Sequence, residues 1–168
     1  MDNAKGCEKV SVRAEAIGLF PAGGEHSEAL SELAFASKSY WNYSEEYLKA
    51  ARPLLRITPE FITSNEVWIA SESGRPQNLL GFFALCQEPT GILLDHFWIA
   101  PSYIGQGVGR QMFEKMRHVA EQHGWKRVLL YSDPQAEKFY SKMGATRIGE
   151  KPSRVACGPM FPIMEVLL

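Results

Sequence analysis

The stretch Ile99-Ala100-Pro101-Ser102-Tyr103-Ile104-Gly105-Gln106-Gly107-Val108-Gly109-Arg110 limits the fold more than any other part of the chain. An apolar strand pattern, Ile92 to Ile99, ends as it begins. A helical pattern, Val108 to His123, starts inside it, with Met112, Met116 and Val119 on one face. The first turn of a helix leaves backbone N–H groups without acceptors, and its dipole favours an anion there. Glycines at alternate positions let the main chain approach a bulky phosphate with no side chain between. The turn Gly105-Gln106-Gly107-Val108-Gly109 is therefore suited to hold a pyrophosphate through main-chain donors. No Gly-Lys-Ser/Thr follows, so it is not a nucleoside-triphosphate loop. A dinucleotide-binding turn normally opens the first βαβ unit, with an acidic residue ~20 residues on. This one lies past the middle of the chain, which places a nucleotide-dependent oxidoreductase far from the reading.

The patterns on either side set the fold class. Before the turn, Val67 to Ala70, Leu79 to Gln87 and Ile92 to Ile99 are strands separated by Ser73 to Asn78 and by Pro89-Thr90-Gly91, which predicts an antiparallel meander. After it, Gly124 stops the helix, and Val128-Leu129-Leu130-Tyr131 is a fully apolar strand. A strand, a crossover helix and another strand imply one parallel pairing. Earlier still, Val10 to Arg13 alternates as a short strand, and Pro21 to Gly24 breaks the chain. A helix from about Glu25 to Ser39 buries Leu30, Leu33, Ala34 and Ser37. Ser44 caps a second short helix, and Thr58-Pro59 starts a third. Asp133-Pro134 opens a helix that stops at Gly144, and Thr146 to Gly149 with Ile163 to Leu167 forms a late antiparallel pair. The expected fold is α/β of the α+β kind: one mixed, mostly antiparallel sheet with a single parallel pairing and helices on both faces.

At 168 residues the chain fits one domain, expected to span 1–168, that can bury a substantial core. A net charge of −1 with scattered basic residues gives no field for nucleic acid or an anionic membrane. No apolar run reaches the ~18 residues of a membrane span. The polar start from Met1 to Glu8 lacks a signal-peptide core. Cys7, Cys86 and Cys157 are odd in number and widely spaced, which suits reduced thiols in a cytoplasmic protein and gives neither a metal site nor a disulfide framework.

A second motif stands further on: Ser132-Asp133-Pro134-Gln135-Ala136-Glu137-Lys138-Phe139-Tyr140-Ser141-Lys142-Met143-Gly144-Ala145. With the strand, glycine turn, long helix and apolar strand before it, the chain resembles the GNAT superfamily of acyl-CoA-dependent N-acetyltransferases, most specifically from Leu79 to Gly149. The resemblance implies a GNAT-like fold, acetyl-CoA as co-substrate and no metal. The backbone of Trp98 and Ile99 would pair with the pantetheine arm as an added strand does. The turn, from Ile104 and Gly105 through Gln106, Gly107, Val108, Gly109 and Arg110, would hold the pyrophosphate. Tyr140 matches the family's general acid, which protonates the departing thiolate and suits a phenol of pKa ~10. The family's turn usually starts with glutamine or arginine. Here Ile104 stands there, and Arg110 is the candidate to compensate. Asp133 takes a position that is commonly asparagine, and it also reads as an ordinary N-cap.

Transfer to an amine needs a lone pair on nitrogen, so something must take the ammonium proton. The resemblance points to a carboxylate on the strand entering the turn. Asp95 is the acidic residue between Ile92 and Ile99, and His96 is its neighbour. Strict alternation sends the two to opposite faces, leaving Asp95, His96 or a water as the base. Trp41 and Tyr43, in the aromatic break Tyr40 to Tyr43, are the candidates for contact with the acceptor. That acceptor is a small-molecule amine or a peptide amine. Nucleic acid and membrane are not expected partners, and a homodimer stays open. The alternative function is a catalytically inactive, CoA-binding regulatory domain.

Overall fold

The computed structural model describes residues 17–73, 75–156 and 158–168. The expected strand at Val10 to Arg13, Cys7 and Cys157 lie outside the described residues. The elements in chain order are β1 (Ile17–Pro21), α1 (Ser27–Ser39), α2 (Glu45–Ala51), α3 (Pro59–Ser64), β2 (Glu66–Glu72), β3 (Arg75–Glu88), β4 (Gly91–Ile99), α4 (Val108–Gln122), β5 (Arg127–Tyr131), α5 (Glu137–Lys142), β6 (Thr146–Pro152) and β7 (Met160–Leu167). The strands form one seven-stranded sheet in the order β1-β2-β3-β4-β5-β7-β6. Every neighbouring pair is antiparallel except β4 and β5. That is the mixed sheet with one parallel pairing expected from the strand, helix and strand around the glycine turn.

Local chemistry sets most boundaries. The Ser44 hydroxyl accepts the Tyr47 N–H to start α2, and the Thr58 hydroxyl accepts the Phe61 N–H to start α3. Gly124 and Gly144 take positive φ of 72° and 90° just beyond α4 and α5, where a side chain would be strained. The strand β1 was not expected, because Pro21 reads as a breaker. It survives as an edge strand, where a missing N–H is tolerated.

Alternation on β2 and β3 feeds two cores. Ile69, Phe82 and Ala84 face one side and pack with Leu30, Leu33 and Ala34 of α1 and with Leu55, Ile57 and Ile62. Ala70, Phe83 and Leu85 face the other and pack with Val108, Met112, Phe113, Met116 and Val119 of α4. Each of the Val, Leu, Ile, Phe and Met side chains among them contributes about 1.5–3 kcal/mol by leaving water. The sheet is thereby held between α1 on one face and α4 on the other.

Two irregularities shape the middle of the sheet. In the β3–β4 ladder Ala84 pairs with His96 but Leu85 pairs with Leu94, so Asp95 is an extra residue, a β-bulge. The parallel β4–β5 ladder runs only from Ile92 to Leu94 against Val128 to Leu130. Beyond the bulge the two strands part. Among the described residues, the side of β4 that faces β5 then carries no strand from Phe97 to Ile99.

Candidate active site

A cleft of about 780 Å³ occupies the gap between the parted strands. It is lined by Asp95, Trp98 and Ile99 from β4, by Ile104, Gly105, Gly107, Gly109 and Arg110 from the turn, by Asp133 and Tyr140 beyond β5, and by Trp41. These are eleven of the sequence-selected residues. Gln106, Val108, His96 and Tyr43 do not line it. Sequence reasoning missed Ser37, Tyr103, Phe139 and Lys142, which do. The tight helix spacing from Tyr140 places Phe139 beside it, and no sequence signal marks Ser37, which arrives from α1.

The turn is open where an anion would sit. Gly105 and Gly107 have φ of 81° and 86°, and a Cβ on either would meet nothing within 4 Å. Among the described residues no backbone carbonyl takes the N–H of Gly105, Gly107, Val108, Gly109 or Arg110. The Gln106 N–H differs, since it donates to the Tyr103 carbonyl at 3.2 Å and closes the turn. So the main-chain donors number five rather than the six that a continuous run from 105 to 110 implies. Gln106 also anchors the loop through its side chain, with Nε2 donating to the Ser102 carbonyl at 2.6 Å. Gly109 is glycine for packing, because a Cβ there would stand 3.3 Å from the Phe139 ring. Val108 is fully buried, backbone included, and does not line the cleft. The Arg110 guanidinium is exposed and paired with Glu114 at 3.2 Å, a surface pair worth ~0.3–0.5 kcal/mol that an anion could replace.

Tyr140 sits on α5, buried, with its ring centroid 5.9 Å from Phe97 and 6.2 Å from Phe113. Burial, and then the charge of Asp133, push its phenol well above the ordinary value of 10.0. It therefore stays protonated at neutral pH and can donate.

Asp133 is held from three sides. Its Oδ1 accepts the Gln135 N–H at 3.0 Å, the N-cap expected from Asp-Pro. Its Oδ2 meets the Lys38 ammonium at 2.5 Å, and the Tyr43 hydroxyl donates to it at 2.8 Å. Lys38 is 4% exposed and lies over the Tyr43 ring at 4.4 Å. This network spends the Tyr43 hydroxyl on Asp133. Burial first, then the Asp133 contact, raise the Tyr43 phenol far above its ordinary range. Lys38 went unnoticed in the sequence because its partner lies 95 positions on.

Asp95 and His96 are not on opposite faces. The bulge absorbs one residue of alternation and brings Asp95 Oδ2 to 3.4 Å from His96 Nε2. Asp95 keeps a third of its side chain exposed and reaches the cleft, while His96 is 7% exposed and packs between Phe61 and Phe82. Burial lowers the His96 pKa below its ordinary 6.5, against the pull of Asp95.

Residues 63–144 match the model of the acetyltransferase (GNAT) domain family. Solved structures share the fold across nearly the whole chain. A GCN5-related N-acetyltransferase from Rhodopseudomonas palustris superposes with a TM-score of 0.76 at 18% identity, covering 91% of this chain and 96% of that one. The PaiA N-acetyltransferase from Thermoplasma acidophilum, solved in complex with coenzyme A, gives 0.70 at 21% identity over 91% and 99%. The ribosomal-protein-S18-alanine N-acetyltransferase from Escherichia coli gives 0.65 at 15% identity over 90% and 93%.

Proposed function

We propose that this chain is a GNAT-type N-acetyltransferase that moves an acetyl group from acetyl-CoA directly to a primary amine, a reading supported by the match of residues 63–144 to the acetyltransferase (GNAT) domain model and by the shared fold. The observation that carries the reading is the joint lining of one cleft by the open glycine turn, the free side of β4, the phenol of Tyr140 and the carboxylate of Asp95. The diphosphate of the co-substrate would take the N–H groups of Gly105, Gly107, Gly109 and Arg110, which line the cleft. The slender thiol arm would lie along Trp98 and Ile99, which among the described residues pair with no strand on that side. The fit is supported by the empty space over Gly105 and Gly107.

In the reaction, Asp95, directly or through a water, accepts one proton from the acceptor's ammonium. The freed lone pair forms the new C–N bond to the acetyl carbonyl carbon. The C–S bond breaks, its electron pair leaves on sulfur, and Tyr140 O–H supplies the proton that makes the thiol, while the second proton that the nitrogen sheds on becoming an amide returns through water to the Tyr140 oxygen. Positioning and this proton pair supply the catalysis, with no covalent enzyme intermediate. Trp41 would wall the acceptor side, which opens beside Ser37 and Asp95. The acceptor is a small-molecule or peptide amine. One domain over 1–168 and a cytoplasmic setting belong to the same reading. Among the described residues no helix is long and apolar enough to cross a membrane.

The test is a thiol-release assay with acetyl-CoA against diverse amines. Release that depends on a primary amine supports the enzyme. Calorimetric binding of acetyl-CoA with no release across the panel would replace it with the regulatory domain. Binding of NAD in place of acetyl-CoA would reject both.

A further inference from the structure

We infer that His96 is a positioning residue for Asp95, locked by the Trp98 side chain in the tautomer that turns an N–H, not a lone pair, toward the carboxylate. The inference rests on the reading of Asp95 as the proton acceptor. An indole N–H donates and cannot accept. Trp98 Nε1 lies 3.0 Å from His96 Nδ1, so Nδ1 presents its lone pair there. A neutral imidazole with a lone pair on Nδ1 carries its proton on Nε2. That Nε2 stands 3.4 Å from Asp95 Oδ2. As they stand the two atoms are close but not hydrogen-bonded, the loose geometry often found for catalytic contacts before substrates bind.

The consequence is a division of labour between two adjacent residues. His96 has no free lone pair: Nδ1 is engaged by the indole, and Nε2 bears a hydrogen. A second proton would set two N–H donors against each other in a buried site. The imidazole therefore takes no proton from the acceptor. It keeps its own and fixes the carboxylate, which receives the acceptor's proton. The β-bulge is what makes this possible, since without it the two side chains would leave opposite faces of the sheet.

Few charges act on the imidazole. Asp95 is the one that the structure places against it. Phe82 of β3 and Phe61 of α3 contribute rings only. The Cys86 thiol on β3 is pushed up to about 12 by burial, then by Asp95 and Glu88, so it stays neutral.

The test uses the full chain with isotope-labelled histidine, read by NMR, together with kinetics. At neutral pH His96 is expected as the neutral form protonated on Nε2, with no titration at 6.5. In Trp98→Phe the Nδ1 lone pair is released, the His96 titration moves upward, and kcat gains a new fall on the acid side. His96→Phe should lower kcat about tenfold with a smaller change in the KM for acetyl-CoA. His96→Gln, whose amide can donate to Asp95, should recover most of that loss. An imidazole protonated on Nδ1, or full kcat in His96→Phe, would overturn the inference. A wild-type chain that releases no thiol counts against the proposed function instead. The tautomer, and the shift of its Nε2–H resonance in Asp95→Asn, then still decide the inference for or against.

Discussion

The ring of Tyr140 is fixed by Phe97, Phe113 and Phe139, so its hydroxyl can be removed without disturbing the packing. Tyr140→Phe should therefore fold as the parent does and lose about a hundredfold or more in kcat, the usual span of general-acid catalysis. Steady-state thiol release checks this. The sign of the pH dependence follows from burial. The phenol's pKa is raised above 10.0, so the donating form persists through that pH, and no alkaline loss of kcat below it should come from Tyr140. A limb that appears near pH 10 in the wild type and vanishes in Tyr140→Phe would contradict this. At the same scale, sequence reasoning found Asp95 and His96 but assigned them to opposite faces. Alternation is a rule for an uninterrupted ladder. The extra residue at position 95 is visible only once the partner strand's register is known.

The glycine turn and the helices around it show what a motif can and cannot carry. The turn, the α4 pattern and the stop at Gly124 were legible because they rest on local rules of backbone freedom and capping. That Gln106 donates inward and that Gly109 serves the Phe139 ring were not, since both depend on neighbours. Gly107 and Gly109 should thus respond differently to alanine. Gly107→Ala forces a side chain into positive φ, costing about 1–2 kcal/mol, and should lower the melting temperature and raise the KM for acetyl-CoA. Gly109→Ala gains up to ~1 kcal/mol of helix propensity but pushes on Phe139, so stability should change little. Its kcat should fall as α5 carries Tyr140 away. Thermal melts beside kinetics separate the two cases. The Lys38–Asp133 pair ties α1 to the start of α5. Lys38→Met leaves a largely buried carboxylate without its cation and should cost about 3 kcal/mol in urea unfolding, the lower end for a broken buried pair because Tyr43 and the Gln135 N–H still hold it. Adding Asp133→Asn should recover part of it.

Across the whole molecule, the sheet class, its one parallel pairing and the two helical faces followed from the order of patterns along the chain. The insertion of β7 between β5 and β6 did not, because either order satisfies the same alternation. Burial also sets how the molecule as a whole meets alkali. Cys86, Tyr43 and Tyr140 all have pKa values raised in the folded state. Between the ordinary thiol value of 9.0 and about 12, the unfolded chain releases the Cys86 proton while the folded chain keeps it. The two phenols do the same from 10.0 upward. Their contribution to stability is complete below pH 9 and shrinks steadily above it. His96 acts in the other direction: its folded pKa is lowered, so its contribution is lost as pH falls below 6.5. Denaturant unfolding as a function of pH should give a plateau between those limits. A stability that keeps rising above pH 9 would refute the burial argument.

The separation of β4 from β5 acts as a gauge of girth. The opening begins where the ladder stops at Leu94, beyond which β4 and β5 are no longer paired. A foreign peptide strand bears side chains above and below its plane and would jam against the wall of β5. A thin, unbranched tether can slide to the narrow end. A run of unmatched backbone that would invite clumping on the rim of a sheet is here sheltered by its own neighbour, open to a thread and shut to a ribbon.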